Sequence, residues 1–235
     1  MSPSGGAKAC QPHGASFPLA TRWLGLVPYA DALAAQRAYR DQVIAGLAPG
    51  GLWLLEHPPV VTSGRRMASV DDERVLAAGF ARFECERGGL ATCHEPGQLV
   101  GYLVANVREA GVRCTVSAIE DGLIASLRRM GLVGGRRQGF PGVWVENAKV
   151  AAIGLHVRQG VTLHGFALNV CNDLRGFDLI VPCGIAGVKV TSLVRLGAPA
   201  TSPAAAWASV GQDVVDALMA VGVGLTSLDS ARGGE

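Results

Sequence analysis

Asn147-Ala-Lys-Val-Ala-Ala-Ile-Gly-Leu-His-Val-Arg-Gln-Gly-Val-Thr-Leu-His-Gly-Phe-Ala-Leu-Asn169 decides the fold reading. Two apolar runs, residues 149–157 and 162–170, flank Arg158-Gln159-Gly160. The spacing predicts two strands joined by a hairpin turn. Working outward, residues 142–145 and 177–181 read as further strands of the same region. Residues 52–55, 83–86 and 99–107 read as strands nearer the N-terminus. Helices bracket them. Residues 31–47 carry apolar side chains at helical spacing and stop at Pro49-Gly50-Gly51. Residues 71–78 form a short helix. Ser117-x-x-Glu120 reads as a capping box that opens a helix ended by Gly131. Ser202 caps a last helix, with Pro203 at its first position, running to about Val221. Strands in the middle with helices at the flanks, without strict alternation, predict an α+β fold with a mixed or antiparallel sheet. The expected organisation is a tail over residues 1–18, one domain over 19–224 and a frayed tail over 225–235.

Composition narrows the function. Of 235 residues, 17% are charged and 49% hydrophobic, so bulk disorder is excluded. A net charge of +2 gives no electrostatic footprint for nucleic acid. No apolar run approaches the roughly 18 residues of a membrane span, and residues 1–10 lack the apolar segment of a signal peptide. The six cysteines, Cys10, Cys85, Cys93, Cys114, Cys171 and Cys183, contain no CxxC spacing. Reduced thiols in a cytoplasmic protein are expected. No zinc spacing, phosphate loop or GxSxG elbow is present.

Four stretches carry chemistry. Arg87-Gly-Gly-Leu-Ala-Thr-Cys-His94-Glu-Pro-Gly-Gln98 places paired glycines where a backbone can approach a ligand, or it is a plain turn between strands. Lys149 opens a small-residue strand. It is either a base made usable by desolvation or an exposed edge lysine. His164 and Asn169 are polar residues in an apolar strand, with His164 a base, a ligand or a hydrogen-bonded core histidine. Cys183 follows Pro182 and precedes Gly184, where free amides would favour a thiolate and receive an oxyanion, unless the cysteine is structural.

Taken together, these stretches resemble the lipoyl(octanoyl) transferase family, which moves an octanoyl group from acyl carrier protein to lipoyl domains. The matching text is Leu55-Glu-His-Pro-Pro59, Arg87-Gly-Gly-x-x-Thr-x-His94-x-Pro-Gly-Gln-Leu-Val100, Lys149-Val-Ala-Ala-Ile-Gly154, His164-Gly-x-Ala-Leu-Asn169 and Pro182-Cys-Gly-Ile185, continued by Thr191-Ser-Leu193. The motifs stand in the family's order over roughly residues 22–220. The resemblance implies a fold like the catalytic domain of biotin and lipoate protein ligases. It implies Cys183 as the acyl-carrying nucleophile and Lys149 as its partner. It also implies an acyl site lined by Arg87, Gly88, Gly89, Leu90, Ala91, Thr92, Cys93 and His94, by Ala152, Ile153 and Gly154, and by Gly165, Phe166 and Ala167. His164, Asn169 and Gly184 stand as supporting residues. The chain departs from the family pattern at Cys93, usually aromatic, at Glu95, usually glycine, and at Leu90, usually more polar. These departures border the implied pocket, and Cys93 would be a second thiol near the site.

The reaction so implied is acyl transfer through a Cys183 thioester, without ATP, cofactor or metal. Acyl carrier protein is the donor. The lipoyl domains of 2-oxoacid dehydrogenases and the glycine cleavage H protein are the acceptors. Amides near Gly184, with those of Arg87 to Gly89, are candidate oxyanion donors. Arg65-Arg66 and Arg136-Arg137 are candidates for a basic rim that steers acidic partners. Two other readings stand beside it: an ATP-dependent lipoate or biotin protein ligase, and a non-catalytic protein that holds lipoyl domains or acyl carriers.

Overall fold

A computed structural model describes residues 19–64, 70–180, 188–199 and 202–224. The quoted stretch forms the expected hairpin, β8 (Ala148–Arg158) and β9 (Val161–Asn169). Gln159 and Gly160 both take positive φ, 50° and 79°. That is the two-residue turn whose twist matches its flanking strands.

The hairpin sits in a seven-stranded sheet. Before it in the chain come β1 (Ala20–Leu26), β2 (Gly51–Glu56), β6 (Gln98–Val104) and β7 (Gly142–Val145). After it comes the two-residue β10 (Lys189–Val190). The spatial order is β1-β2-β6-β9-β8-β10, with β7 also on β8. The β1–β2 and β8–β10 pairs are parallel and the others antiparallel, so the sheet is mixed. A second sheet has the order β4-β3-β5, from β3 (Val60–Ser63), β4 (Ala81–Glu84) and β5 (Ala91–His94).

Alternation along the strands divides the large sheet into two faces. Leu99, Leu103 and Leu168 point to one face, where they pack with Ile119, Leu123, Val210 and Val214 of α3 (Gly111–Arg129) and α4 (Pro203–Ala220). Each leucine so buried contributes about 2 kcal/mol. Val100, Tyr102 and Ala167 point to the opposite face, against Ala32 of α1 (Tyr29–Ile44). The small sheet flanks the same side. α2 (Asp72–Ala77) closes over its core at Val75, and the Asp71 side chain caps it by accepting from the Arg74 amide. α4 starts as expected, with Ser202 accepting from the Ala205 amide and Pro203 in the first turn. No helix of the described residues is long and apolar enough to cross a membrane.

The sequence reading differs from the structure at three places. Ser117 does not open a helix, because α3 begins six residues earlier at Gly111 (117 − 111 = 6). Thr115 and Val116 disguised those first turns, since β-branched residues are poor helix formers. Glu120 turns outward from any cap and accepts from Arg136 Nε (2.8 Å) and the Gly142 amide (2.9 Å). Residues 177–180 are not a strand. A 3₁₀ helix, Arg175–Leu179, follows Leu174, which takes a left-handed φ of 72°. The stretch after Arg87 is not only a turn, since β5 forms inside it and pairs antiparallel with β3. Among the described residues Cys85, Cys93 and Cys171 are free. The two expected tails, residues 1–18 and 225–235, lie outside the described residues.

Gly122 is where α3 meets α4, and an added Cβ there would lie 2.5 Å from the Val214 Cα. Backbone cannot yield as a flexible side chain can. Gly122→Ala is therefore expected to cost about 2 kcal/mol, read as a lower urea midpoint with unchanged denaturant slope.

Candidate active site

A cavity of about 300 Å³ lies over the large sheet, bounded by Tyr29 of α1 and by Val112 and Val116 of α3, at the small end of the range for ligand clefts. Its floor follows from register. Ala152 pairs with Ala167, and Ala167 with Val100. One step along, Gly154 pairs with Gly165, and Gly165 with Tyr102. Cross-strand partners share a face, so two rows of mostly small residues form a floor with little bulk above it. Ile153 and Phe166 also reach the lining.

Residues 87–92 form one wall. The Gly88 amide donates to the Leu155 carbonyl at 3.0 Å, and a Cβ on Gly154 would lie 3.1 Å from the Gly88 oxygen. The paired glycines thus let one backbone run close to another, as expected. That same bond commits the Gly88 amide, which removes it from the expected oxyanion donors. Arg87 is buried and anchors the wall: its Nη2 donates to the Thr62 carbonyl (2.7 Å) and hydroxyl (3.0 Å), and Nη1 to the Gly88 carbonyl (3.1 Å). Along β5, Thr92 and His94 line the cavity. Cys93 does not. Strand alternation turns it into the small core beside Phe80 and Gly176, where burial pushes its thiol pKa well up. The expectation of a second thiol at the site fails for that reason. Leu90 and Ala91 remain in the wall.

Histidines and tyrosines form a polar layer at the cavity. Tyr29, Tyr102, His94 and His164 line it, and His57 stands behind them. His57 Nδ1 must donate to the Val27 carbonyl (2.6 Å), so its Nε2 accepts the Tyr102 hydroxyl proton (2.6 Å). His94 Nδ1 donates to Gln98 Oε1 (2.7 Å), and Gln98 Nε2 donates in turn to Asn169 Oδ1 (2.9 Å). Burial lowers the imidazole pKa values, to about 4 at His57 and about 3 at His94 and His164. All three are neutral near pH 7. His164 lines the cavity in a left-handed conformation, φ 63°, with its amide held by Gln36 Oε1 at 2.9 Å. So low a pKa makes it a poor base, against one of its expected roles. Asn169 does not reach the cavity lining. Its Nδ2 donates to the Thr191 carbonyl (3.0 Å), so it braces the chain around β10.

Lys149, like Arg87, is buried and in the lining, at 7% exposure. It is not an exposed edge lysine, because β7 and β10 both pair with the start of β8. Its Nζ lies 5.3 Å from the Trp144 ring centroid, within cation–π range. Gly142, at φ 127°, leaves the space: a Cβ there would lie 2.6 Å from Lys149 Cε and 3.2 Å from Nζ. Sequence reasoning missed Gly142, Trp144, Tyr29 and Phe177. None stands in a recognised motif, and only register and folding bring them to the site. Cys183 and Gly184 lie outside the described residues, as do Arg65 and Arg66. Arg136 pairs with Glu120 and Asp121, which offset its charge, whereas Arg137 is exposed and lies over the Trp144 ring.

A family model for the lipoyl protein ligase A/B catalytic domain matches residues 28–214. The octanoyltransferase of Rhizorhabdus wittichii is 44% identical over 182 residues, covering 75% of this chain and 81% of that one. Among solved structures, lipoate-protein ligase A bound with ATP superimposes with a TM-score of 0.67 at 16% identity, over 87% of this chain and 85% of that one. Biotin protein ligase from Aquifex aeolicus, in complex with biotin and ATP, gives a TM-score of 0.52 at 12% identity, over 85% and 70%. These two structures carry the fold alone.

Unfolding exposes the three buried histidines and restores their ordinary pKa near 6.5. Their folded values are depressed, so the unfolded chain binds more protons as pH falls below 6.5. Stability is full above that pH. It is lost from 6.5 down toward 4 for His57 and toward 3 for the others, at up to about 1.4 kcal/mol per pH unit for each. Urea unfolding at pH 7, 6 and 5 is expected to show a steepening loss. A flat profile over that range would contradict neutral burial.

Proposed function

The chain belongs to the lipoyl protein ligase A/B catalytic-domain family and transfers octanoyl groups in protein lipoylation, and we propose that it does so through a thioester on Cys183, with Lys149 as the proton-handling partner. The observation that carries this reading is a buried lysine at a cavity built over small residues. Val190 of β10 pairs with Lys149, seven residues beyond Cys183 (190 − 183 = 7), so the chain returns to Lys149 soon after the cysteine.

The donor is octanoyl-acyl carrier protein. The Cys183 thiolate attacks the thioester carbonyl carbon on its phosphopantetheine arm. The tetrahedral adduct collapses, the carbon–sulfur bond to the carrier breaks, and the carrier thiolate leaves with the proton that Lys149 held, so that Lys149 is left neutral. Octanoyl-Cys183 remains. The acceptor is a lipoyl-domain lysine. Its neutral amine attacks the new thioester, Lys149 accepts the proton released from nitrogen, and Cys183 leaves as thiolate. One thioester replaces another in the first half and an amide forms in the second, which is downhill. The scheme therefore needs no ATP. Backbone amides near Gly184 would receive the oxyanion.

The cavity holds the alkyl chain. Seven buried alkyl carbons contribute on the order of 5 kcal/mol at about 0.8 kcal/mol each. That binding comes from the chain and leaves the thioester end to the residues around Lys149. The cation–π contact holds the Lys149 stem along Trp144, so the amine is already placed when the acyl group arrives.

Incubation with octanoyl-acyl carrier protein is expected to leave a hydroxylamine-sensitive octanoyl adduct on Cys183, seen by mass spectrometry. Lys149→Ala should lower the transfer rate by roughly 10²–10⁴. A Cys183→Ala protein that octanoylates a lipoyl domain at the full rate would refute the thioester. Pyrophosphate release dependent on free lipoate and ATP, and indifferent to Cys183, would select the ligase reaction instead.

A further inference from the structure

Cys93 and Glu95 of the 87–98 stretch stay out of the cavity, and both end on the same turn. Glu95 is buried at 3% exposure. Its Oε1 accepts from the Asn172 side-chain amide and from the Leu174 backbone amide, each at 3.0 Å. Leu174 is left-handed, φ 72°, a conformation that a branched side chain adopts only when its surroundings impose it. Gly176 sits against Cys93 Sγ and Phe80, with no room for a Cβ. The 3₁₀ helix Arg175–Leu179 starts here, and its Phe177 is part of the cavity wall.

We propose that Glu95 is a positioning residue for acyl-chain length: its carboxylate holds the 172–176 turn, the turn holds Phe177 against the cavity, and Phe177 limits the chain that fits. The inference rests on the octanoyl-transfer reading and adds a determinant that touches no substrate. Without the carboxylate, two donors lose their acceptor and nothing compensates the left-handed Leu174. The turn then relaxes toward ordinary backbone, and Phe177 moves with it. Glutamine in place of Glu95 keeps an Oε1 acceptor in the same position. Cys93 acts on the same turn from its other side, because a larger side chain there would press on Gly176.

The test compares kcat/KM for dodecanoyl and octanoyl thioesters. A ratio of two substrates is independent of the fraction of protein folded. Glu95→Ala is expected to raise the dodecanoyl-to-octanoyl ratio at least tenfold, in line with what a methylene or two is worth in a pocket. Glu95→Gln should stay within threefold of the wild type. Phe177→Ala should raise the ratio as Glu95→Ala does, and the double variant no further, since both act on one wall. Should Glu95→Ala give no soluble protein, Glu95→Asp, which retracts the carboxylate by one methylene, is read the same way. An unchanged ratio in the Glu95 variant, an unchanged ratio in Phe177→Ala, or additivity in the double variant overturns the proposal. A wild type that transfers no octanoyl group fails the underlying reading instead. Calorimetric binding of octanoate and dodecanoate to the same variants then decides the inference by the same ratio.

Discussion

Bulk withheld from one face of the sheet is the constraint on which the rest depends. Ala152 faces Ala167, and Gly154 faces Gly165, across the β8–β9 ladder. The ladder satisfies the backbone while the side chains leave the space above it largely open. The opposite face shows the alternative. There Leu99, Leu103 and Leu168 pack against α3 and α4. One sheet therefore has a packed side that stabilises the domain and a side with room for a ligand. The glycines also have a second cause. Gly101 leaves room for the Phe166 ring, and Gly165 for the Gly101 carbonyl. The floor is thus set by strand packing as well as by its vacant space.

Polarity around that space is arranged so that most groups are neutral. The His57–Tyr102 and His94–Gln98–Asn169 chains satisfy one another without a charge. Burial pushes both tyrosine pKa values up, so the phenols keep their protons. Neutral histidines and tyrosines leave the cavity hospitable to an apolar chain, since none of them is an ion to be desolvated when the chain enters. Arg87 is the exception in the wall. Its charge is turned onto Thr62 and the Gly88 carbonyl. Lys149 lies instead against an aromatic ring, beside a glycine that makes room for its ammonium.

Much of this was legible in the chain. The β8–β9 hairpin announced itself through two apolar runs around Gln159-Gly160, and α4 through Ser202-Pro203, because local chemistry decides both. The segments 152–154 and 165–167 were readable as site lining through the resemblance. What could not be read depends on tertiary contacts. β5 is a strand because β3 is there to pair with it. The 3₁₀ helix at Arg175 exists because Glu95, some 80 positions earlier (175 − 95 = 80), supplies an acceptor to the turn before it. Cys93 faces away from the cavity through a strand alternation that its glycine-rich context hid. Ser117-x-x-Glu120 misled because a capping pattern in the middle of a helix has the same letters as one at its start. Gly142 and Trp144 acquire meaning only once Lys149 is placed beside them.

The most direct measurement of the central claim is a crystal structure of the protein after exposure to an octanoyl thioester. The account predicts continuous density for the alkyl chain along Ala152, Gly154 and Ala167, with its carboxyl end joined to Cys183 beside Lys149. Density for the chain at any other surface, with the space over those small residues empty, would contradict it.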